Sequence, residues 1–213
     1  MTVPVDDLKS ELRGRIRASR RARDETSRDE VDRLLALRVG DIPEVAALVA
    51  GAVEGCVAAY AAYGTEPRTG RLRALLELSG VRVLLPVIRD DGGLDWADDG
   101  GPLHEDGVSK GIPEPSTDVV ASGMPGLVAV GCRVILAPAL AVDVDGHRIG
   151  KAGGYYDRLL AGLDHLDPAE RPRVVAVVHD DEVLDAIPVA DHDRSVDAVL
   201  TPSGYRLLAG PAY

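Results

Sequence analysis

The sequence predicts an α/β fold, a single three-layer domain whose mainly parallel sheet is flanked by helices. Two observations carry that reading. Short runs such as Val81–Val87, Arg133–Ala137 and Arg173–Val178 are apolar at consecutive rather than alternate positions, which is the pattern of strands buried on both faces. Segments with helical spacing lie between them, and such alternation lays successive strands side by side in parallel. A chain of 213 residues can bury a substantial core. One domain over residues 1–213 is expected, with residues 1–25 as a basic N-terminal helix.

The elements come in order along the chain. A first helix is read from about Asp6 to Arg23. Leu8, Leu12 and Ile16 recur every four residues as an apolar stripe, and Lys9, Arg13, Arg17 and Arg20 or Arg21 make a cationic one. An isolated basic helix is more often a solvated face, but on an acidic protein such concentrated charge favours a fixed anionic ligand. A second helix is expected from Ser27 as N-cap, with Glu30 closing a capping box before Val31, Leu34, Leu35 and Leu37. Helix Ile42–Ala50, strand Gly55–Tyr60, helix Arg71–Leu78 and strand Val81–Val87 come next. Asp90–Gly131 reads as irregular. Strand Arg133–Ala137, a helix near Gly154–Leu163, strand Arg173–Val178, a short helix Asp181–Ala186 and strand Val196–Leu200 complete the series.

Composition excludes several classes of function. There are 24 Lys+Arg against 35 Asp+Glu, a net charge of −11, which argues against nucleic acid or an anionic membrane as a partner. Cys56 and Cys132 sit in apolar runs without metal-like spacing, arguing against a disulfide framework or a zinc site. The N-terminus lacks the apolar region of a secretory signal, and no run reaches transmembrane length. A cytoplasmic protein is expected, and a monomer. Lysine stands only at 9, 110 and 151 although arginine is plentiful. A compact ammonium does what a planar guanidinium cannot, so those lysines are informative.

The most telling stretch is Gly146-His-Arg-Ile-Gly-Lys-Ala-Gly-Gly-Tyr-Tyr-Asp-Arg158. It comes after a buried-looking strand and leads into a helical pattern. Its glycines allow backbone N–H groups to converge on one anion, and the helix start adds positive potential. Arg148 and Lys151 add side-chain charge that suits a polyphosphate. It is not a Walker A loop: three residues rather than four separate Gly146 from Gly150, and Ala152 follows the lysine where Ser or Thr would hold magnesium. The dinucleotide fingerprint is absent as well. A glycine-rich surface turn is the plain alternative, and two tyrosines, an aspartate and two cations in the same turn weigh against it. In an open α/β sheet this loop falls where ligands bind, beyond the carboxyl ends of the strands.

Further blocks stand in order around the loop. These are Lys9-x-x-Leu-Arg13, Tyr60 followed by Glu66-x-x-Thr69, Gly80-Val-Arg-Val-Leu-Leu-Pro86 and Gly111-Ile-Pro-Glu-Pro115, then the Arg148–Asp157 loop and His192-Asp193 followed by Asp197. Together they resemble the 5-formyltetrahydrofolate cyclo-ligase family, the methenyltetrahydrofolate synthetases, from Lys9 to about Thr201. The resemblance implies a fold related to Rossmann-like isomerases. It implies conversion of 5-formyltetrahydrofolate, with or without a polyglutamate tail, to 5,10-methenyltetrahydrofolate, with ATP as cosubstrate, Mg2+ as cofactor, and ADP and phosphate released. By the same resemblance Lys9 and Arg13 contact ATP phosphates. The segment Arg148, Ile149, Gly150, Lys151, Ala152, Gly153, Gly154, Tyr155 and Tyr156 is the nucleotide loop. Ala61, Glu66 and Tyr155 match substrate positions, and Asp157 and Asp193 match magnesium-linked carboxylates. Catalysis is expected to rest on Arg148, Lys151 and Tyr155.

The chain departs from the family pattern in four places. Ala152 stands for a glycine, Leu94-Asp95-Trp96 for Met-x-Phe, Val142 for the phenylalanine before Asp143, and Glu182 for a glutamine. Trp96 is expected to supply the pterin-facing wall instead of the usual aromatic. Ala152 is expected at negative φ, because Lys151 and Gly153-Gly154 leave the loop cationic and pliable around it. Two rival readings stay open: a non-catalytic folate or nucleotide binder on the same fold, and an ATP-independent sugar-phosphate isomerase, which would not require the basic helix.

Overall fold

A computed structural model describes residues 4–190 and 193–209 of the chain. Helices α1 (Val5–Ala22), α2 (Glu25–Arg38) and α3 (Pro43–Val49) precede strand β1 (Cys56–Ala58). Helix α4 (Gly70–Leu78) leads to β2 (Arg82–Ile88), which turns back into β3 (Leu94–Asp98). Two short strands, β4 (Leu103–His104) and β5 (Glu114–Pro115), pair with each other ahead of β6 (Val119–Ser122) and α5 (Gly123–Ala129). After β7 (Cys132–Pro138) come β8 (Ala141–Asp143), β9 (Arg148–Ile149) and α6 (Tyr155–Ala161). The chain continues through β10 (Arg173–Val177), β11 (Val183–Leu184), β12 (Ala198–Thr201) and β13 (Gly204–Leu207).

The main sheet has eight strands in the order β13-β12-β10-β7-β1-β2-β3-β6. Its five central strands are mutually parallel, and β13, β3 and β6 run antiparallel to their neighbours at the two ends. Side chains alternate between two buried layers. On β2 and β7, Val83, Leu85, Val134 and Leu136 join the core under α2, α3 and α4, with Leu35, Ile42, Val45, Leu72 and Leu76. Leu84, Ile135 and Ala137 face the opposite core with Met124 and Leu127 of α5 and Leu159 and Leu160 of α6. Both faces being covered is why the strand runs are continuously apolar. Each fully buried Leu, Ile or Val contributes about 1.5–3 kcal/mol.

Topology places the site. From β1 the chain steps one way to β2 and β3, and later steps the other way through β7, β10 and β12. That reversal opens a crevice between the carboxyl ends of β1 and β7, since the segments after them leave in opposite directions. A second small sheet, β11-β8-β9, sits beside the crevice. Helix α1 packs on it: Leu12 and Ile16 share a core with Leu140, Ala141, Ile149 and Ile187.

Several local expectations are corrected. Helix α2 starts at Glu25, capped by Asp24 rather than Ser27, because the Asp24 carboxylate accepts the Ser27 N–H at 2.8 Å. The buried line of α1 is Lys9, Leu12, Ile16 and Arg20, and Leu8 is exposed. The stretch read as irregular holds β3, β6 and α5. Aspartates 95 and 98 interrupt the apolar pattern of β3, and Gly123, Pro125 and Gly126 disguise α5. In place of a helix at Asp181–Ala186 there is a single 3-10 turn, Asp180–Glu182, and then β11. Strand β13, an antiparallel edge, comes after the last strand expected from the sequence. Among the described residues, no helix is long and apolar enough to cross a membrane.

Candidate active site

The crevice holds a cavity of about 960 Å³. Tyr60 and Ala61 enter it from the end of β1, Pro86 and Ile88 from β2, and Pro138 and Ala139 from the end of β7. Ile112 and Pro113 close one side, Lys9 and Arg13 of α1 another, and residues 148–158 form the floor and rim. Its described lining carries six cations and four carboxylates, a positive excess on a chain of net charge −11. An anionic ligand of nucleotide size suits that balance.

The glycine loop is built on the β8–β9 hairpin. Asp143, 1% exposed, organises its turn. One carboxylate oxygen accepts the N–H of Asp145 and of His147, and the other accepts Ile187 N–H at 3.0 Å. At Gly146, with φ +89°, a Cβ would stand 2.5 Å from the Val196 carbonyl oxygen, so only glycine fits. After β9 the chain runs through Gly150–Gly154 and enters α6, with Gly154 as a left-handed N-cap at φ 67°.

Every cation in the loop and on the facing part of α1 already has a carboxylate or carbonyl partner. Lys9 is 3% exposed, and its ammonium contacts the Asp193 carboxylate, which also accepts Ala190 N–H at 2.7 Å. Arg13 Nε donates to the Gly150 carbonyl at 3.0 Å, and Arg17 Nη2 to the Lys151 carbonyl at 2.9 Å. Arg148, 5% exposed, donates to Asp157 at 2.7 Å, and its Nε has no partner among the described residues. Burial lowers the pKa of this guanidinium against the opposing pull of Asp157. Lys151 pairs with Glu66 at 2.9 Å, donates to the Tyr63 carbonyl at 3.1 Å, and lies 3.4 Å over the Tyr63 ring. Burial works against the charge on both members of that pair, raising Glu66 and lowering Lys151, while each holds the other ionised.

The tyrosines divide their roles. Tyr155 lines the cavity with its hydroxyl 2.7 Å from Ser109 Oγ. Tyr156 is half-buried, and its hydroxyl, unpartnered among the described residues, has its pKa driven far up by desolvation. Gly153 gives the Tyr155 ring its room, since a Cβ there would approach the ring to 2.7 Å.

The cavity thus assembles Lys9, Arg13, Ala61, Glu66, Asp157, Asp193 and the whole loop from Arg148 to Tyr156. Trp96 does not join them. Its side chain is fully buried in the core with Leu84, Met124 and Leu127, because α5 covers that point of β3. Leu94, two residues earlier on the same face of the strand, reaches the cavity instead. Ala152 is corrected too: its φ is +90°, the left-handed region, and not negative. Glu182, read as a departure from a family glutamine, is buried and does not line the cavity. Its carboxylate accepts two bonds from Arg20, each 2.7 Å, and one from His179 N–H at 2.9 Å. His192, part of one sequence block, lies outside the described residues. Sequence reasoning missed Tyr63, Asp143 and the loop contact of Arg17. For Arg17 the signal was present, since it stands one turn beyond Arg13 on the cationic stripe.

Known proteins bear on this geometry. The model of the 5-formyltetrahydrofolate cyclo-ligase family matches residues 5–202. A 5-formyltetrahydrofolate cyclo-ligase of Mycolicibacterium smegmatis is 42% identical over 156 residues, covering 68% of this chain and 73% of that protein. The one from Escherichia coli K12 is 30% identical over 191 residues, covering 88% and 97%. In fold, the chain superposes on the solved 5,10-methenyltetrahydrofolate synthetase of Aquifex aeolicus with a TM-score of 0.73 at 24% identity, covering 97% and 95% of the two chains. A family match over nearly the whole described length settles the assignment. The chain belongs to the 5-formyltetrahydrofolate cyclo-ligase family.

Proposed function

We propose that the protein converts 5-formyltetrahydrofolate to 5,10-methenyltetrahydrofolate at the expense of ATP, with Mg2+ bound alongside the nucleotide. The observation that carries this reading is the convergence in one cavity of Lys9, Arg13 and the 148–156 loop with Ala61, Glu66 and Tyr155. The first set suits a polyphosphate and the second a neighbouring polar heterocycle.

The formyl group on N5 is an amide, with a poorly nucleophilic oxygen and a poorly electrophilic carbon. In the proposed reaction the formyl oxygen attacks the γ-phosphorus of ATP, the bond to the β-phosphate oxygen breaks, and ADP leaves. N10 then attacks the activated formyl carbon, the carbon–oxygen bond breaks, and phosphate departs with the N10 proton. The product cation is shared between N5 and N10. Phosphoryl transfer of this kind asks mainly for alignment and charge neutralisation. ATP carries about four negative charges, and Lys9, Arg13, Arg148 and Lys151 are enough to meet those the metal leaves. In the free protein three of these cations are paired with Asp193, Asp157 and Glu66. Phosphate oxygens would take the place of these carboxylates at the cations, and Asp157 and Asp193 are the residues that would hold the metal.

The metal fits this arrangement. Asp157 and Asp193 offer hard oxygen donors to one cavity, and no group of three or more ligating side chains forms among the described residues. That donor set suits Mg2+ held through one or two carboxylates and the substrate phosphates. When bound, the ion would neutralise charge on the transferring phosphoryl group.

The test is to incubate purified protein with 5-formyltetrahydrofolate and Mg-ATP while monitoring methenyl absorbance and ADP release together. Equal appearance of both is expected. Product without ATP, or ATP binding without product, would sink the proposal, the latter in favour of a non-catalytic binder. Lys9→Ala and Arg13→Ala should each weaken ATP binding by about 1.5–3 kcal/mol and folate binding much less.

A further inference from the structure

Three arginines hold the backbone of the glycine loop by its carbonyls. Arg13 Nε donates to Gly150 O at 3.0 Å, Arg17 Nη2 to Lys151 O at 2.9 Å, and Arg158 Nη2 to Gly153 O at 2.9 Å. Arg13 and Arg17 stand one turn apart on α1, so one rigid face grips two consecutive peptides. Arg13 and Arg158 line the cavity and can also meet a ligand; Arg17 is not part of the cavity wall.

The contact made by Arg17 matters most, because the peptide it holds leads directly into Ala152. A trans peptide is planar, and its C=O and N–H point in opposite directions. Fixing the Lys151 carbonyl therefore fixes the Ala152 N–H on the side away from Arg17. It also fixes the plane from which rotation about the Ala152 N–Cα bond is measured. That rotation is +90°, a conformation an L-residue with a Cβ resists. Ala152 is exposed, so no packing of its own side chain holds it there.

We propose that Arg17 is a positioning residue of the nucleotide site. It holds the Lys151–Ala152 peptide, and with it the left-handed turn at Ala152, so that the loop is set for phosphate before the nucleotide arrives. Where glycine occupies this position the turn is free of strain; here α1 enforces it. The inference rests on the nucleotide reading of the loop, and its test separates the two.

The test compares the parent protein, Arg17→Ala, Ala152→Gly and the double variant. Arg17→Ala should raise KM for Mg-ATP by about tenfold, with KM for 5-formyltetrahydrofolate and the melting temperature nearly unchanged. Placed on Ala152→Gly, the same change should raise KM for ATP by less than about threefold, because glycine needs no enforcement. Equal losses in both backgrounds would mean that the Arg17 charge acts on the nucleotide directly and would overturn the clamp. So would equal losses for both substrates, or none. A ligand-free arm uses trypsin, which cuts after Lys151. The fragment ending at Lys151 should form several-fold faster from Arg17→Ala, and an unchanged rate would count against the clamp. Faster cutting in a protein whose parent form neither binds nor hydrolyses ATP would keep the clamp and discard the nucleotide reading.

Discussion

Ala152 shows how far one residue can be read. Among the described residues it is the one non-glycine at positive φ. Replacing it with glycine removes strain of about 1–2 kcal/mol, and the greater freedom of glycine in the unfolded chain returns about 0.5–1 kcal/mol of cost. Ala152→Gly should therefore stabilise by no more than about 1.5 kcal/mol, whereas Ala152→Val, β-branched in the same turn, should cost about 2–3 kcal/mol. Denaturant midpoints measure both, and a well-tolerated valine would contradict the left-handed assignment. The two aspartates make a second contrast. Asp157→Asn takes the charged partner from the buried Arg148 guanidinium and should cost about 2–3 kcal/mol of stability, less than a fully buried pair because Asp157 is partly exposed. Asp193→Asn should leave the fold intact and raise the Mg2+ concentration needed for half-maximal turnover. Parent-like magnesium titrations for both would remove them from the metal site. The identities of Lys9, Arg13 and the loop were legible because charge and glycine spacing are written locally. The sign of φ at Ala152 was not, since the contact proposed to hold it, Arg17 to the Lys151 carbonyl, spans 134 residues of sequence. Nor was the burial of Trp96, which depends on α5 covering that face of β3.

At the scale of elements, α1 carries the sharpest lesson. Four-residue spacing put Leu8, Leu12 and Ile16 on one stripe, but the helix buries Lys9, Leu12, Ile16 and Arg20. Hydrophobic spacing found the helix, and its two buried charges set its rotation. Lys9 meets Asp193 at one end, and Arg20 meets Glu182 and the Ala139 carbonyl at the other. Asp193 and Glu182 come from the segment after β10 and Ala139 from that after β7, so α1 is fastened across the small sheet and its arginines are brought to the loop. The Arg20 and Glu182 side chains are 0% and 3% exposed, so removing one partner leaves a buried charge without its counterion. Glu182→Ala should cost about 3–5 kcal/mol, and Glu182→Gln, which keeps the shape and one acceptor, clearly less. Urea unfolding decides, and a loss below about 1 kcal/mol for the alanine variant would show that the pair does not anchor the helix. The central strands were legible because both their faces are buried. The edges were not: β3 mixes aspartates into its pattern, and β13 exposes Arg206 and Leu207.

Across the whole molecule, an acidic chain keeps cations where phosphate is expected and balances them in the free state with carboxylates of the same cavity. Under the crevice, at the end of β10, lies a group whose protonation should reach the entire fold. His179 is 4% exposed, and burial pushes its pKa down to about 4. Its ordinary value is about 6.5, so between these limits the unfolded chain binds a proton that the native protein refuses. Stability must therefore fall as pH is lowered through this window, by up to about 3 kcal/mol once it is crossed. Glu66 acts in the opposite sense. Burial raises its pKa, so the native state takes up a proton before the unfolded state does, and part of the loss is offset as pH falls through that raised value. His179→Gln isolates the histidine contribution because Glu66 stays in place. Stability of parent and variant, measured by denaturant unfolding at intervals from pH 7 to pH 4.5, should diverge in slope below about pH 6.5, with the variant flatter. Parallel curves would mean that the native imidazole accepts its proton as readily as the unfolded one, and the burial of His179 would then carry no electrostatic cost.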